Sequence, residues 1–469
     1  PPSPLHKGER KNKRKHNMKK TLTLIALILC ALTTNAQTPL TLDQCRQLAL
    51  DNNKRMAAAN KQTQAAHYTM QSYRGNFFPN FTASGTGLYS SANGSFSLPG
   101  GNLPTFLPDA NGQPTPNGGF AYFPGIDLNY KVRTVWMGGV QVEQPIFMGG
   151  KILAAYKMAT LGKQMAQLNE NLTATEVILE TDQAYALMVK AQEMNKVAES
   201  YHAVLQELMK NVQSAYKHGL KSKNDVLKVQ VKLNESELAI RKAENALRLA
   251  NMNLCHLIGK PLIETLQISD DFPVIEQALE TQVNDITARP EYSLLNKQVD
   301  MAKQQVKLSR SELLPQVGIR GSYDYVHGLK VNEQRLFDDG AFSVMLNVTV
   351  PLFHFGERIN KVRASKAQLE QVRMEQADLN EKMYLELTQA ANNLDEAKLQ
   401  TALADRSLEQ ADENRLISKG EYDAGLEPLS DHLEAQALWQ QAYETKVDAH
   451  FQLYLSYVKY LKAAGKLTP

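Results

Sequence analysis

Two hydrophobic periods divide the chain. Phe342, Val344, Leu346, Val348 and Val350 recur every second residue and are interleaved with Ser343, Met345, Asn347 and Thr349, which is the pattern of a strand with one apolar and one polar face. Val317, Ile319, Gly321, Tyr323 and Tyr325 alternate in the same way with Gly318, Arg320, Ser322 and Asp324. These runs predict strands over about 316–325 and 341–351. Weaker counterparts lie over about 80–89 and 135–145, interrupted by Gly85, Gly87, Gly138 and Gly139. Each is close to the roughly 9 to 11 residues that cross a bilayer at a tilt. Elsewhere the pattern is helical. There is no proline between Pro145 and Pro261, and only Pro428 between Pro351 and Pro469. Residues 151–216 therefore read as one helix roughly 100 Å long, and residues 357–421 as its counterpart. Helices over about 43–75 and 224–258 are each near half that length. Val226, Leu233, Ile240, Leu247 and Leu254 recur every seven residues, with Val229, Ser236, Ala243, Ala250 and Leu257 three later, a heptad seam.

The chain also contains itself twice. Tyr216, Gly219, Leu220, Asp225, Leu227 and Gln230 return as Tyr422, Gly425, Leu426, Asp431, Leu433 and Gln436, all at an offset of 206. The same offset relates Pro145, Phe147 and Gly150 to Pro351, Phe353 and Gly356. A first repeat spans 37–258 with a tip turn at 217–223, and a second spans 290–469 with its tip turn at 422–430. Residues 259–289 read as a linker. The first repeat carries an excess of about 30 residues, because Gly94 to Pro124 holds six Gly and six Pro among Phe96, Phe106, Phe120, Tyr122 and Phe123. That stretch reads as a long loop.

Charge and cysteine usage sharpen the class. Charged residues make up 22% of the chain, which excludes a polytopic helical membrane protein. Met18-Lys19-Lys20 leads into the apolar run Leu22 to Leu32 and then Thr34-Asn35-Ala36, so 18–36 reads as a secretory signal peptide and 1–17 as translated upstream sequence. Cys30 lies in that leader. Without residues 1–36 the formal charge falls from +3 to −4, so the basicity belongs to the leader and gives no argument for nucleic acid. Cys45 and Cys255 are expected to be small buried hydrophobes rather than a disulfide pair. A bilayer admits β-structure only as a closed barrel, and four strands cannot close one. The chain must oligomerise.

The leading LTLDQCRQLALDNN (40–53), QPIFMGG and VPLFHFG after each pair of strands, ARPEY (288–292) and the two Tyr-x-x-Gly-Leu turns resemble the TolC family of outer-membrane factors, over essentially all of 38–466. The resemblance implies a mainly α fold with a membrane β-barrel. Internally duplicated long helical hairpins would form a trimeric α-barrel, and four strands per chain a twelve-stranded barrel. It implies a homotrimer in outer-membrane lipid with its helical part in the periplasm, working with a periplasmic adaptor protein and an inner-membrane transporter, the RND type favoured. The family's adaptor-docking turns map to Gly219, Leu220, Gly425 and Leu426. Its acidic entrance rings map to Asp431 and Glu434, against the plainer reading of a solvated acidic face. Its closed-state latch maps to Tyr422 and Asp225, but Glu427 stands where the family has an arginine, which leaves Lys221 or Lys223 as donors. His432 reads as a surface residue.

The function expected is an exit duct for passive passage of small molecules, driven by the inner-membrane transporter. The alternatives are a type I protein-secretion component and a secreted coiled-coil scaffold. No nucleophile–base constellation, phosphate loop or zinc spacing appears, so neither an enzyme nor a cofactor is expected.

Overall fold

The computed structural model describes residues 39–131, 134–269, 271–273, 275, 285–331 and 334–467. The leader with Cys30 and residues 276–284 of the linker lie outside the described residues. The elements run α1 (Leu42–Asn52), α2 (Lys54–Gly75), β1 (Asn80–Tyr89), β2 (Asn93–Leu98), β3 (Gly101–Pro108), β4 (Pro114–Phe123), β5 (Ile126–Lys131) and β6 (Thr134–Met148). They continue as α3 (Lys151–Lys217), α4 (Lys223–Leu257), α5 (Pro290–Ser311), β7 (Gln316–Val331), β8 (Gln334–Thr349), α6 (Glu357–Asp423) and α7 (Leu429–Ala463). The long helices α3 and α6 have 67 residues each, about 100 Å of helix at 1.5 Å per residue.

Two expectations are corrected here. The helix expected over 43–75 is two helices, parted at Asn53, whose backbone is extended (φ −68°, ψ 130°). Its side chain accepts from the amide of Arg55 (2.8 Å) and donates to the carbonyl of Leu257 (3.1 Å). A buried Asn therefore serves as cap of α2 while closing the C-terminal end of α4, and the side chain wins over helix continuation. The stretch Gly94 to Pro124 is not a bare loop. It carries β3 and β4, paired as a hairpin, most of β2, and the approach to β5, which pairs with β2.

The chain divides into two compact units, to both of which α3 and α6 contribute. One comprises 59–170 and 291–381 and is built on the sheet. β1 pairs with β6, β6 with β7 and β7 with β8, all antiparallel. The register puts Phe81, Val142, Gly321 and Val344 in one row and Ala83, Val140, Tyr323 and Phe342 in the next but one. Between them lies the row Thr82, Gln141, Ser322 and Ser343. Cross-strand partners share a face, so one side of the sheet is aromatic and aliphatic and the other polar. The polar side carries the Arg320–Glu143 ion pair and a Ser322–Ser343 hydroxyl contact at 2.9 Å. Phe342 and Val344 are exposed in the isolated chain, and among the described residues the outer edges of β1 and β8 have no partner strand.

The other unit comprises the described residues up to 58, 171–290 and 382–467. Its core is three apolar clusters. One joins Cys45 and Ala49 of α1 to α3 and the end of α4, the second joins α3 to α6 and α7, and the third joins Tyr201 to Val212 of α3 to Val229, Leu429 and Leu433. Every residue of the α4 heptad seam is buried or half-buried. Cys45 and Cys255 are both buried free thiols, and burial pushes the Cys45 thiol up to about 11. Asp182, fully buried, is met by a two-pronged hydrogen bond from Arg46 (2.7 and 2.6 Å).

Candidate functional site

Both hairpins turn by the same backbone device. Gly219 and Gly425 sit in the left-handed region at φ +75° and +76°. Their amides donate to the carbonyls of Tyr216 and Tyr422 (3.0 Å each), while those of Leu220 and Leu426 reach back to Ala215 (2.9 Å) and Glu421 (2.8 Å). This is the paired closure of a helix C-terminus that glycine makes without strain. It leaves Leu220 78% and Leu426 80% exposed, so two apolar side chains face water at equivalent turns.

The following helices start differently. Ser222 caps α4 by accepting from the amide of Asp225 (3.1 Å), and Asp225 accepts from the amide (3.1 Å) and hydroxyl (2.8 Å) of Ser222. These donors hold the Asp225 carboxyl below its usual range. At the second turn Pro428 occupies the capping position and offers no side-chain acceptor. Asp431 takes a hydrogen bond from the Ser430 hydroxyl (2.8 Å). Asp431 and Glu434 are both exposed, three residues apart and so on one helical face.

Tyr422 is the hub. Its ring stacks on His432 with centroids 4.9 Å apart and planes 8° from parallel, and the Lys221 ammonium lies 4.6 Å from the same centroid. Burial raises the Tyr422 phenol, with further contributions from Asp225 and Asp423. Tyr422 and Asp225 thus share one electrostatic neighbourhood, and Lys221 is the lysine that reaches the ring. Glu427 accepts from the Ser418 hydroxyl (2.7 Å).

His432 corrects the sequence reading. It is 4% exposed, with Nδ1 3.2 Å from the Ser418 hydroxyl. The signal was present, because the buried residues Leu429, His432, Leu433 and Gln436 follow the i, i+3, i+4, i+7 spacing of an inward helical stripe. Among the described residues no group of His, Cys, Asp and Glu could hold a metal ion, and no helix is long and apolar enough to cross a membrane.

A sheet with one lipid-compatible and one polar face, coupled in sequence to 67-residue helices that end in matched glycine turns, defines an outer-membrane channel subunit. Residues 45–260 and 289–466 match the model of the outer membrane efflux protein family, and the chain belongs to that family. It is 20% identical over 367 residues to the outer membrane efflux protein BepC of Brucella suis, covering 74% of this chain and 78% of that one. It is 23% identical over 243 residues to the alkaline protease secretion protein AprF of Pseudomonas aeruginosa, and the match spans half the length of each. The fold is similar to that of the Campylobacter jejuni CmeC outer membrane channel, with a TM-score of 0.74 at 18% identity, covering 91% of this chain and 86% of that one. The family places the chain in the bacterial outer membrane and in tripartite systems with adaptors and inner-membrane transporters.

Proposed function

We propose that the protein is a homotrimeric exit duct that passes small molecules outward without chemistry of its own, energised by an inner-membrane transporter of the RND type through a periplasmic adaptor. The observation that carries this reading is the run of four long strands β1-β6-β7-β8 within the sheet, apolar on one face and polar on the other, whose outer edges on β1 and β8 have no partner strand among the described residues. A bilayer tolerates no unpaired edge, so β8 of one copy must pair with β1 of the next. Three copies give twelve strands, within the range of bacterial barrels. Independent support comes from helix faces that stay exposed among the described residues. On α4, Leu227, Val231, Leu238 and Leu249 are exposed, and on α6, Leu385, Leu399, Leu403 and Ile417. Such stripes mark contact surfaces, here between copies.

Gly219, Leu220, Gly425 and Leu426 are assigned as the adaptor-docking turns, since they present paired exposed leucines on rigid closures. Asp431 and Glu434 are assigned to the entrance, with Tyr422 and Asp225 as gate residues. The match to AprF favours a second reading, export of a polypeptide. Cross-linking in native envelopes through Leu220→Cys and Leu426→Cys, followed by mass spectrometry of the captured inner-membrane partner, separates the two. An RND transporter supports the first reading and an ABC exporter the second. The channel itself is tested by bilayer conductance together with the oligomer mass. A water-soluble monomer without current would sink it.

A further inference from the structure

Ser418 has one hydroxyl proton and two neighbours. At 2.7 Å from the Glu427 carboxylate and 3.2 Å from His432 Nδ1, it donates to the carboxylate, which only accepts. Its oxygen is then left to accept from Nδ1–H. Nδ1 of the buried imidazole therefore carries a proton and heads a chain running His432 to Ser418 to Glu427. One face of the same ring lies flat against Tyr422. The cluster draws on α6 (Ser418, Tyr422), the second turn (Glu427) and α7 (His432), and through Lys221 on the first turn.

We infer that His432 is the residue that fastens the second hairpin tip in the packed arrangement seen here, that this arrangement is the closed one, and that protonation of His432 releases it. This rests on the channel reading above. The charged and titratable groups around His432 and its stacking partner are Lys419, Asp423 and Tyr422 from α6, Glu427 from the turn, Lys221 from the first turn, and Asp225 of α4, which acts on Tyr422. Burial lowers the imidazole's affinity for a proton, against the smaller opposing pull of Glu427 and Asp423. A histidine so depressed binds fewer protons closed than released, so closure is fully stable above the ordinary value of about 6.5. That stability is lost as pH falls through the depressed one.

The experiment is conductance of the full chain in planar bilayers between about pH 8 and pH 5, with hydrogen exchange over 418–436 on the same samples. The expected result is a severalfold rise in conductance and faster exchange at the tip on acidification. His432→Asn, which keeps a neutral donor at the Nδ1 position, should abolish both. Glu427→Gln, which removes the charge that favours protonation, should move the transition to lower pH, and His218→Gln on the exposed first turn should leave it unchanged. An acid response that survives His432→Asn, or exchange indifferent to pH in the unaltered protein, overturns the inference. Absence of current with pH-dependent exchange intact would sink the channel reading while supporting the role of His432.

Discussion

Gly149 and Phe355 are repeat equivalents at the offset of 206, and both adopt left-handed backbone, at φ +61° and +45°. Their surroundings differ. A Cβ on Gly149 would stand 2.5 Å from the carbonyl oxygen of Ser311, whereas Phe355 is 91% exposed. The left-handed conformation costs a non-glycine residue about 1–2 kcal/mol. Phe355→Gly should therefore raise stability by about 1 kcal/mol, while Gly149→Ala should lower it by about 2–3 kcal/mol through strain plus the clash. Thermal unfolding of the two variants checks the opposite signs. Arg46 and Asp182 offer a second test. Removing the guanidinium with Arg46→Met strands a fully buried carboxylate and should cost about 3–5 kcal/mol, whereas Arg46→Met with Asp182→Leu should recover most of it. Denaturant unfolding reads both, and equal losses in the single and double variants would refute the buried-charge argument.

At the scale of elements, long uniform patterns were legible and local competition was not. The strands show as alternation because one face meets lipid and the other does not, and the tip glycines show because only one backbone conformation closes those helices. The same offset extends to Gly259 and Gly465, both left-handed, which end α4 and α7 alike. The break at Asn53 was hidden because its cause, the carbonyl of Leu257, lies 204 residues away. The strands β2–β5 were hidden because proline and glycine mark turns in sequence even where cross-strand pairing overrides them. His432 was misread because a histidine beside an aspartate suggests solvent unless its place in the buried stripe is counted. The sheet reading makes a sharp prediction from adjacent residues of β8. Leu346→Arg puts charge on the apolar face and should cost about 2–4 kcal/mol and abolish membrane assembly. Asn347→Arg, one residue on and facing the polar side, should assemble and change conductance instead. Heat-modifiable mobility of the oligomer on gels distinguishes them, and equal tolerance would mean that the face assignment is wrong.

For the whole molecule the decisive quantity under the proposed trimer is symmetry, because it would multiply weak local charges. Asp431 and Glu434 in one chain are two exposed carboxylates, each worth little alone in water. In the proposed homotrimer, with Asp431 and Glu434 at the proposed entrance, they would become six charges facing one passage, where a low-dielectric wall concentrates their field. A ring of carboxylates attracts cations and excludes anions, as in cation-selective pores. Asp431→Asn with Glu434→Gln should therefore abolish cation selectivity, measured as the reversal potential across a salt gradient, while leaving oligomer mass unchanged. Because the effect is electrostatic, raising salt should weaken selectivity in the unaltered channel, the Debye length falling from about 10 Å at 0.1 M to about 3 Å at 1 M. A trimer whose reversal potential is the same with and without these carboxylates would keep the duct and move its entrance elsewhere on the helices.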